Sequence, residues 1–294
     1  MFEFKVNLMK KSFKNTGLTF AVIVCGLLAF LAFPSNTYLR KALRYGTPDI
    51  DDYRIFANRT VKAGNPQPWR ISEEYNRASI PADRLPYFEQ FATVAYLVVR
   101  DTAIVYEQYW DGYGAQSLSN SFSVAKSIVA LLAGIARDEG KIASFDQPAA
   151  GYYPPYTVDS RKEITIKDVL TMSAGLDWNE AYSSPFSITT KAYYGDHIES
   201  LITRLKAVEK PGVRYRYQSG VTELLSFVVA NAAGVTLSDY ASEKLWTPIG
   251  AEHDALWSLD RYKKRGNNAP FPLTHTNPVH FLNLDFIPKV INQL

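Results

Sequence analysis

Ser123-Val-Ala-Lys126 sets a hydroxyl and an amine one helical turn apart on the same helix face. Ser123 stands at the start of an apolar helix, so its own N–H is one of the unpaired donors there. An oxyanion donor and a positive dipole end therefore lie beside the hydroxyl. The neighbours of Lys126 are the apolar Ala125, Ile128 and Val129, and burial among them predicts a lowered lysine pKa. A neutral or proton-sharing lysine can activate a serine that is otherwise a poor nucleophile. The same tetrad also reads as an N-cap serine followed by a lysine that lays its stem along the helix. A second feature is Pro211-Gly-Val-Arg-Tyr-Arg-Tyr217-Gln-Ser219, with an apolar helix after it. Tyr217 falls in the loop between a turn and that helix start. A nearby lysine favours the phenolate, which makes a proton shuttle. Tyr217 is equally readable as one loop-packing ring among 19 tyrosines.

Other chemistries lack material. There is no G-x-S-x-G elbow, no G-x-x-x-x-G-K-[ST] phosphate loop and no G-x-G-x-x-G fingerprint. Four histidines, none in an H-E-x-x-H pair, and a single cysteine argue against a protein-built metal site and exclude a disulfide framework. No cofactor is implied. A net charge of +3 over 294 residues gives no electrostatic footprint for nucleic acid. With 47% hydrophobic and 21% charged residues, the chain can bury a core of one large or two small domains.

The elements that must position these residues are strands first and helices later. Thr93–Val99 and Ala103–Trp110 are β-rich runs around Arg100-Asp101-Thr102, a hairpin signal. Ser127–Glu139 carries Ile128, Leu131, Leu132 and Ile135 at helical spacing, and Gly140 ends it. Further helices are expected at Ile164–Met172, His197–Val208, Thr222–Ala233 and Leu237–Trp246, the last two separated by Gly234, with a strand-like Glu163-Ile-Thr before the first. No βαβ alternation appears, so the fold class is α+β. At the N-terminus, Lys5, Lys10, Lys11 and Lys14 precede a stretch that is apolar from about Leu18 to Phe33 and ends at Pro34. We read residues 1–34 as an uncleaved membrane anchor, at the short end of the roughly 17–25 residues a spanning helix needs. The alternative, a secretory signal, lacks small residues at a cleavage site near Ala32–Ser35. The preceding lysines put the N-terminus in the cytoplasm and the domain on the periplasmic side of the inner membrane. Residues 35–86 read as an extended linking segment and residues 87–258 as the domain. Residues 259–294 form an atypical tail, expected to be poorly ordered.

Taken together these segments resemble the β-lactamase-related serine hydrolases, which include class C β-lactamases, D-Ala-D-Ala carboxypeptidases, carboxylesterases and 6-aminohexanoate-dimer hydrolase. Ser121-Phe-Ser-Val-Ala-Lys-Ser-Ile-Val-Ala-Leu-Leu-Ala-Gly is similar to the family's nucleophile helix. Gly140-Lys-Ile-Ala-Ser-Phe-Asp-Gln-Pro, Ile164-Thr-Ile-Lys-Asp-Val-Leu-Thr-Met-Ser-Ala-Gly-Leu and the Pro211–Ser219 block follow in the family's order. Leu245-Trp-Thr-Pro-Ile-Gly-Ala-Glu-His-Asp-Ala-Leu-Trp looks like the 6-aminohexanoate-dimer hydrolase branch. The resemblance implies an antiparallel sheet flanked by helices, with a mostly helical subdomain. It also implies an acyl-serine enzyme cleaving an amide or ester. Ser123 would be the nucleophile, Lys126 its activator, and Tyr217 the general base and then acid. Ser219 would support substrate in the triplet, and Tyr182 would match a substrate-loop tyrosine. The family's third motif, K-[ST]-G or H-x-G, has only weak counterparts in Lys264-Arg-Gly266 and His275-Thr-Asn277. Together with the short tail, this raises the expectation of a fold incomplete at its C-terminus, which would leave the hairpin with an exposed edge and an apolar face. The alternative function is a truncated or degenerate relative that binds ligand or is inactive.

Overall fold

The computed structural model describes residues 2–260 and 282–285. Helix α1 (Phe2–Ala32) ends at Pro34, where a 3₁₀ turn over Pro34–Asn36 leads into α2 (Thr37–Tyr45). No single helix among the described residues is long and apolar enough to cross a membrane. Gly17–Ala32 and Pro34–Tyr45 pass that test only together, bent by 83°.

Residues 35–86, expected as an extended linking segment, are instead built into the domain. Tyr38 and Leu39 of α2 are buried, Lys41 pairs with Asp196 at 2.9 Å, and buried Asp52 accepts a 2.8 Å bond from Tyr193. Strand β1 (Ala57–Val61) then runs antiparallel to β6 (Ala255–Leu259), from Ala57 opposite Leu259 to Val61 opposite Ala255. The first part of the segment shows no periodicity because the partners of α2, Asp52 and β1 lie more than a hundred residues away, and only Val61 of β1 is fully buried. Strand β2 (Arg70–Ile71) and helix α3 (Leu85–Gln90) lead to the hairpin.

That hairpin is β3 (Ala95–Arg100) and β4 (Ala103–Tyr109). Asp101 and Thr102 turn it with φ of 52° and 61°, both left-handed as a tight hairpin turn requires. It forms a three-stranded sheet in the order β2-β4-β3, with β2 parallel to β4. Strand β3 is an edge of this sheet, and an apolar groove of about 820 Å³ opens along it, lined by Ile80, Phe88, Tyr96 and Val98 among others.

The main sheet runs β1-β6-β7-β5, where β5 is Leu118–Asn120 and β7 is Leu282–Asp285. Strand β7 corrects the expectation of a tail without structure: it pairs antiparallel with both β5 and β6. Its four residues alternate Leu-Asn-Leu-Asp, a pattern too short to signal a strand by itself. The weak third-motif counterparts at 264–266 and 275–277 lie outside the described residues.

Helix α4 (Val124–Asp138) turns one apolar face to the core, burying Ala125, Ile128, Val129, Leu132, Ala133 and Ala136. Helix α5 (Ile166–Leu170) is fixed by a capping box between Thr165 and Asp168. The strand-like residues before it make only an isolated bridge, Pro148 to Thr165. Helices α6 (Ile188–Tyr194) and α7 (Ile198–Thr203) follow. Helix α8 (Ser219–Ala233) is buried at every position from Ser219 to Ala230. It is apolar nearly all round because it runs through the centre of the domain. Gly234, with φ of 73°, ends it in the left-handed conformation. Helix α9 (Leu237–Ala241) continues into a π turn over Ser242–Trp246. Trp246 and Trp257 are the largest fully buried side chains.

Candidate active site

Three elements converge on Ser123. Strand β5 delivers the chain to it, and Phe122 just before it takes a φ of 45°. A bulky residue there costs of order 1–3 kcal/mol and persists only when its surroundings hold it. Ser123 occupies the N-cap position of α4, yet its side chain makes no cap hydrogen bond. The capping reading is therefore replaced by a different use of the hydroxyl. Lys126 Nζ donates to Ser123 Oγ at 3.0 Å, and Tyr217 OH donates to the same oxygen at 2.7 Å. Lys126 Nζ also lies 5.3 Å from the Tyr217 ring centre. Lys126 is half-buried rather than enclosed, because its helix face opens on a pocket.

Tyr217 reaches Ser123 from a loop that is tied down at several points. Gly212 turns at φ of 76°, and its N–H donates to Ser173 O at 2.9 Å. The Arg216 N–H donates to Met172 O at 2.8 Å. Buried Gln218 donates its side-chain amide to Leu176 O at 2.8 Å and Trp178 O at 2.7 Å. The ring of Tyr217 is thereby carried to Ser123 across 94 residues of sequence.

Ser219 does not touch Ser123 by any hydrogen bond in the structure. Its N–H and Oγ both donate to Glu180, at 2.7 Å and 2.5 Å. Glu180 also accepts from Trp178 Nε1 at 2.6 Å and from the Tyr182 hydroxyl. One half-buried carboxylate thus joins the start of α8 to the loop that carries Tyr182. Tyr182 is 67% exposed, but its hydroxyl end is desolvated against Glu180, and burial together with that carboxylate pushes its pKa upward. Sequence reasoning missed Glu180 and Gln218. Each lies within two residues of a residue it did select, and only the fold shows their hydrogen bonds.

A pocket of about 510 Å³ opens in front of these groups. Ser123, Lys126, Tyr182 and Ser219 line it, and so do Ala42 and Leu43 of α2 and Tyr193 of α6. Among the described residues no group of three or more His, Cys, Asp or Glu side chains converges to hold a metal ion.

Comparison with known proteins follows the same lines. The Beta-lactamase family profile matches residues 85–283. The chain is 27% identical over 217 residues to the 6-aminohexanoate-dimer hydrolase of Paenarthrobacter ureafaciens, covering 69% of this chain and 55% of that protein. A solved Bacillus anthracis structure assigned as a 6-aminohexanoate-dimer hydrolase superposes with a TM-score of 0.65 at 18% identity, covering 83% of this chain and 66% of that one. The chain therefore spans a little over half the length of the curated relative and just under two thirds of the solved one. The solved structure shares the α+β fold, and the family profile, which spans well over half of the chain, shows that the chain belongs to the Beta-lactamase family.

Proposed function

We propose that this chain is a serine hydrolase that cleaves an amide or ester through an acyl-Ser123 intermediate. The observation that carries the reading is the double hydrogen bond to Ser123 Oγ, from Lys126 at 3.0 Å and Tyr217 at 2.7 Å. A serine held by two groups that can exchange protons is an activated nucleophile. For this step Tyr217 first gives its own phenolic proton to solvent and stands as a phenolate, stabilised by Lys126 beside its ring; as Oγ attacks the carbonyl carbon, the serine proton passes to that phenolate oxygen. The carbonyl π pair moves to oxygen, beside the positive end of the α4 dipole, where the Val124, Ala125 and Lys126 N–H groups already bond Ser121, Phe122 and Ser123 carbonyls and the Ser123 N–H is left to meet the oxyanion. Collapse of this intermediate expels the amine or alcohol, which takes the proton back from Tyr217. Water then repeats the sequence on the acyl-serine. The name of the curated relative supports an amide as one substrate class. The basic, apolar N-terminus supports an anchor in the inner membrane, with the domain on the periplasmic side.

The test is intact mass of the full chain after exposure to a fluorophosphonate, beside Ser123→Ala and Tyr217→Phe, with far-UV circular dichroism on each. The expected result is a mass gain in wild type and none in Ser123→Ala. Labelling of Tyr217→Phe should be slower by about 10²–10⁴-fold, the usual contribution of a positioned base. A folded wild type that takes no label would replace this reading with a ligand-binding relative that does not turn over.

A further inference from the structure

Among the described residues that line the pocket, Lys126 is the single charged side chain, and it is committed to Ser123. Most of the pocket's hydroxyls donate elsewhere, with Thr47, Ser183 and Ser184 as the neutral exceptions. Tyr194 donates to Gly46 O at 2.9 Å, Tyr193 to Asp52 at 2.8 Å, Thr190 to Ser184 O at 2.9 Å and Thr189 to Asn179 O at 3.3 Å. Tyr182 and Ser219 direct theirs to Glu180. The charged groups behind the walls are paired too. Lys41 bonds Asp196, Asp52 holds Tyr193 and the Asp49 N–H, and Glu180 takes four donors. Ala42, Leu43, Pro48, Phe122 and Pro185 add carbon to the wall.

One side of this wall is the N-terminal arm, and it is held firmly. Tyr38 and Leu39 are buried beneath α2, Lys191 sits 5.8 Å from the Tyr38 ring centre, and Tyr194 holds the chain at Gly46. Leu43 remains at the lip of the pocket, 70% exposed. A large aliphatic side chain held there on a fixed helix offers carbon to whatever enters.

We infer that the pocket takes a neutral alkyl or aryl portion of the substrate, and that the arm from α2 to Pro48 is its specificity wall, with Leu43 at the lip. The inference rests on Ser123 being the nucleophile and adds the class of substrate. A charged tail drawn into this pocket would lose its water and, among the described residues, meet no free counter-charge, which is strongly unfavourable. A neutral chain meets carbon and gains from burial. The dimer of 6-aminohexanoate ends in an ammonium and a carboxylate; among the described lining residues the ammonium would find no carboxylate, and the carboxylate only Lys126, already bonded to Ser123.

The experiment compares labelling rates of the full chain by three fluorophosphonates sharing one reactive head. Their tails end in a neutral alkyl group, a carboxylate or an ammonium. The neutral probe should label Ser123 at least about ten-fold faster than either charged one. Leu43→Asp should reverse the preference between the neutral and ammonium probes. Equal rates, or an unchanged ratio in Leu43→Asp, would overturn the inference while leaving the nucleophile intact. Calorimetry on folded Ser123→Ala with hexanamide, 6-aminohexanamide and adipamate reads the pocket without the chemistry. Tighter binding of hexanamide supports the inference even if no probe labels, and equal or tighter binding of a charged amide refutes it.

Discussion

Glu180 offers a sharp test, because its two oxygens carry different kinds of donor. Oε2 accepts from the Ser219 N–H and Trp178 Nε1, which can only donate. Oε1 accepts from the Ser219 and Tyr182 hydroxyls, which can donate or accept. In Glu180→Gln the amide oxygen can take the Oε2 place and keep both N–H groups satisfied. The amide NH₂ then faces the two hydroxyls, which turn to accept. What is lost is the charge, at the start of the long helix α8 and in bonds that were charge-assisted, about 1–2 kcal/mol. Glu180→Leu removes every acceptor. The Ser219 N–H and Trp178 Nε1 belong to residues only 3% and 4% exposed, and each orphaned donor costs about 1–3 kcal/mol, so roughly 2–6 kcal/mol in all. Urea unfolding followed by circular dichroism measures both variants, and the Ser123 labelling rate can be read on the same samples. The expected order is wild type, then Gln close below it, then Leu far below. Labelling should stay within a few-fold of wild type in Gln and fall sharply in Leu. Equal losses in the two variants would refute the assignment of donors to oxygens. Losses below about 0.5 kcal/mol in both would remove Glu180 from the group that holds the site together.

Two further outcomes follow from local geometry. A Cβ at Gly220 would lie 2.2 Å from Trp178 Cε3 and 2.6 Å from its Cδ2, and the indole is buried and pinned by Glu180. Gly220→Ala gains up to about 1 kcal/mol of helix propensity but overpacks by about 1–3 kcal/mol or more. The variant should therefore unfold at lower urea and label more slowly; unchanged or raised stability would mean the indole yields freely. Asp254 joins the end of β1 to the start of β6, accepting from Lys62 Nζ at 2.6 Å and Ala63 N–H at 2.8 Å. Burial works to raise its pKa, but Lys62 and the Ala63 N–H outweigh it and hold the carboxyl below its ordinary value. The stabilisation is thus present above the unfolded carboxyl pKa and is lost as pH falls through the lowered, folded one. With side chains 69% and 40% exposed, Asp254→Asn should cost no more than about 1 kcal/mol at neutral pH. That gap should begin to close below about pH 4, and a gap of constant size from pH 7 to pH 2 would contradict the linkage.

The residues proposed for chemistry were legible in the sequence because their signals are local. Ser123 and Lys126 share one helical turn, and the apolar positions of α4 repeat at the period that buries one face. Gly234 ends α8 where its composition says it should, and the hairpin announces itself by two β-rich runs around a polar turn. What sequence could not decide was decided by contacts between distant segments. The convergence of Tyr217 on Ser123 spans 94 residues, and no periodicity encodes it. The arm at 35–86 looked like a linker because its order comes from α6, β6 and β4, not from its own pattern. Strand β7 is a strand because β5 and β6 leave a place for it. Serine capping of α4 and a serine nucleophile are the same residue type at the same position. The tertiary structure leaves Ser123 without a cap bond and brings Lys126 and Tyr217 to its one oxygen, an arrangement that supports the proposed nucleophile and that local sequence has no means to express.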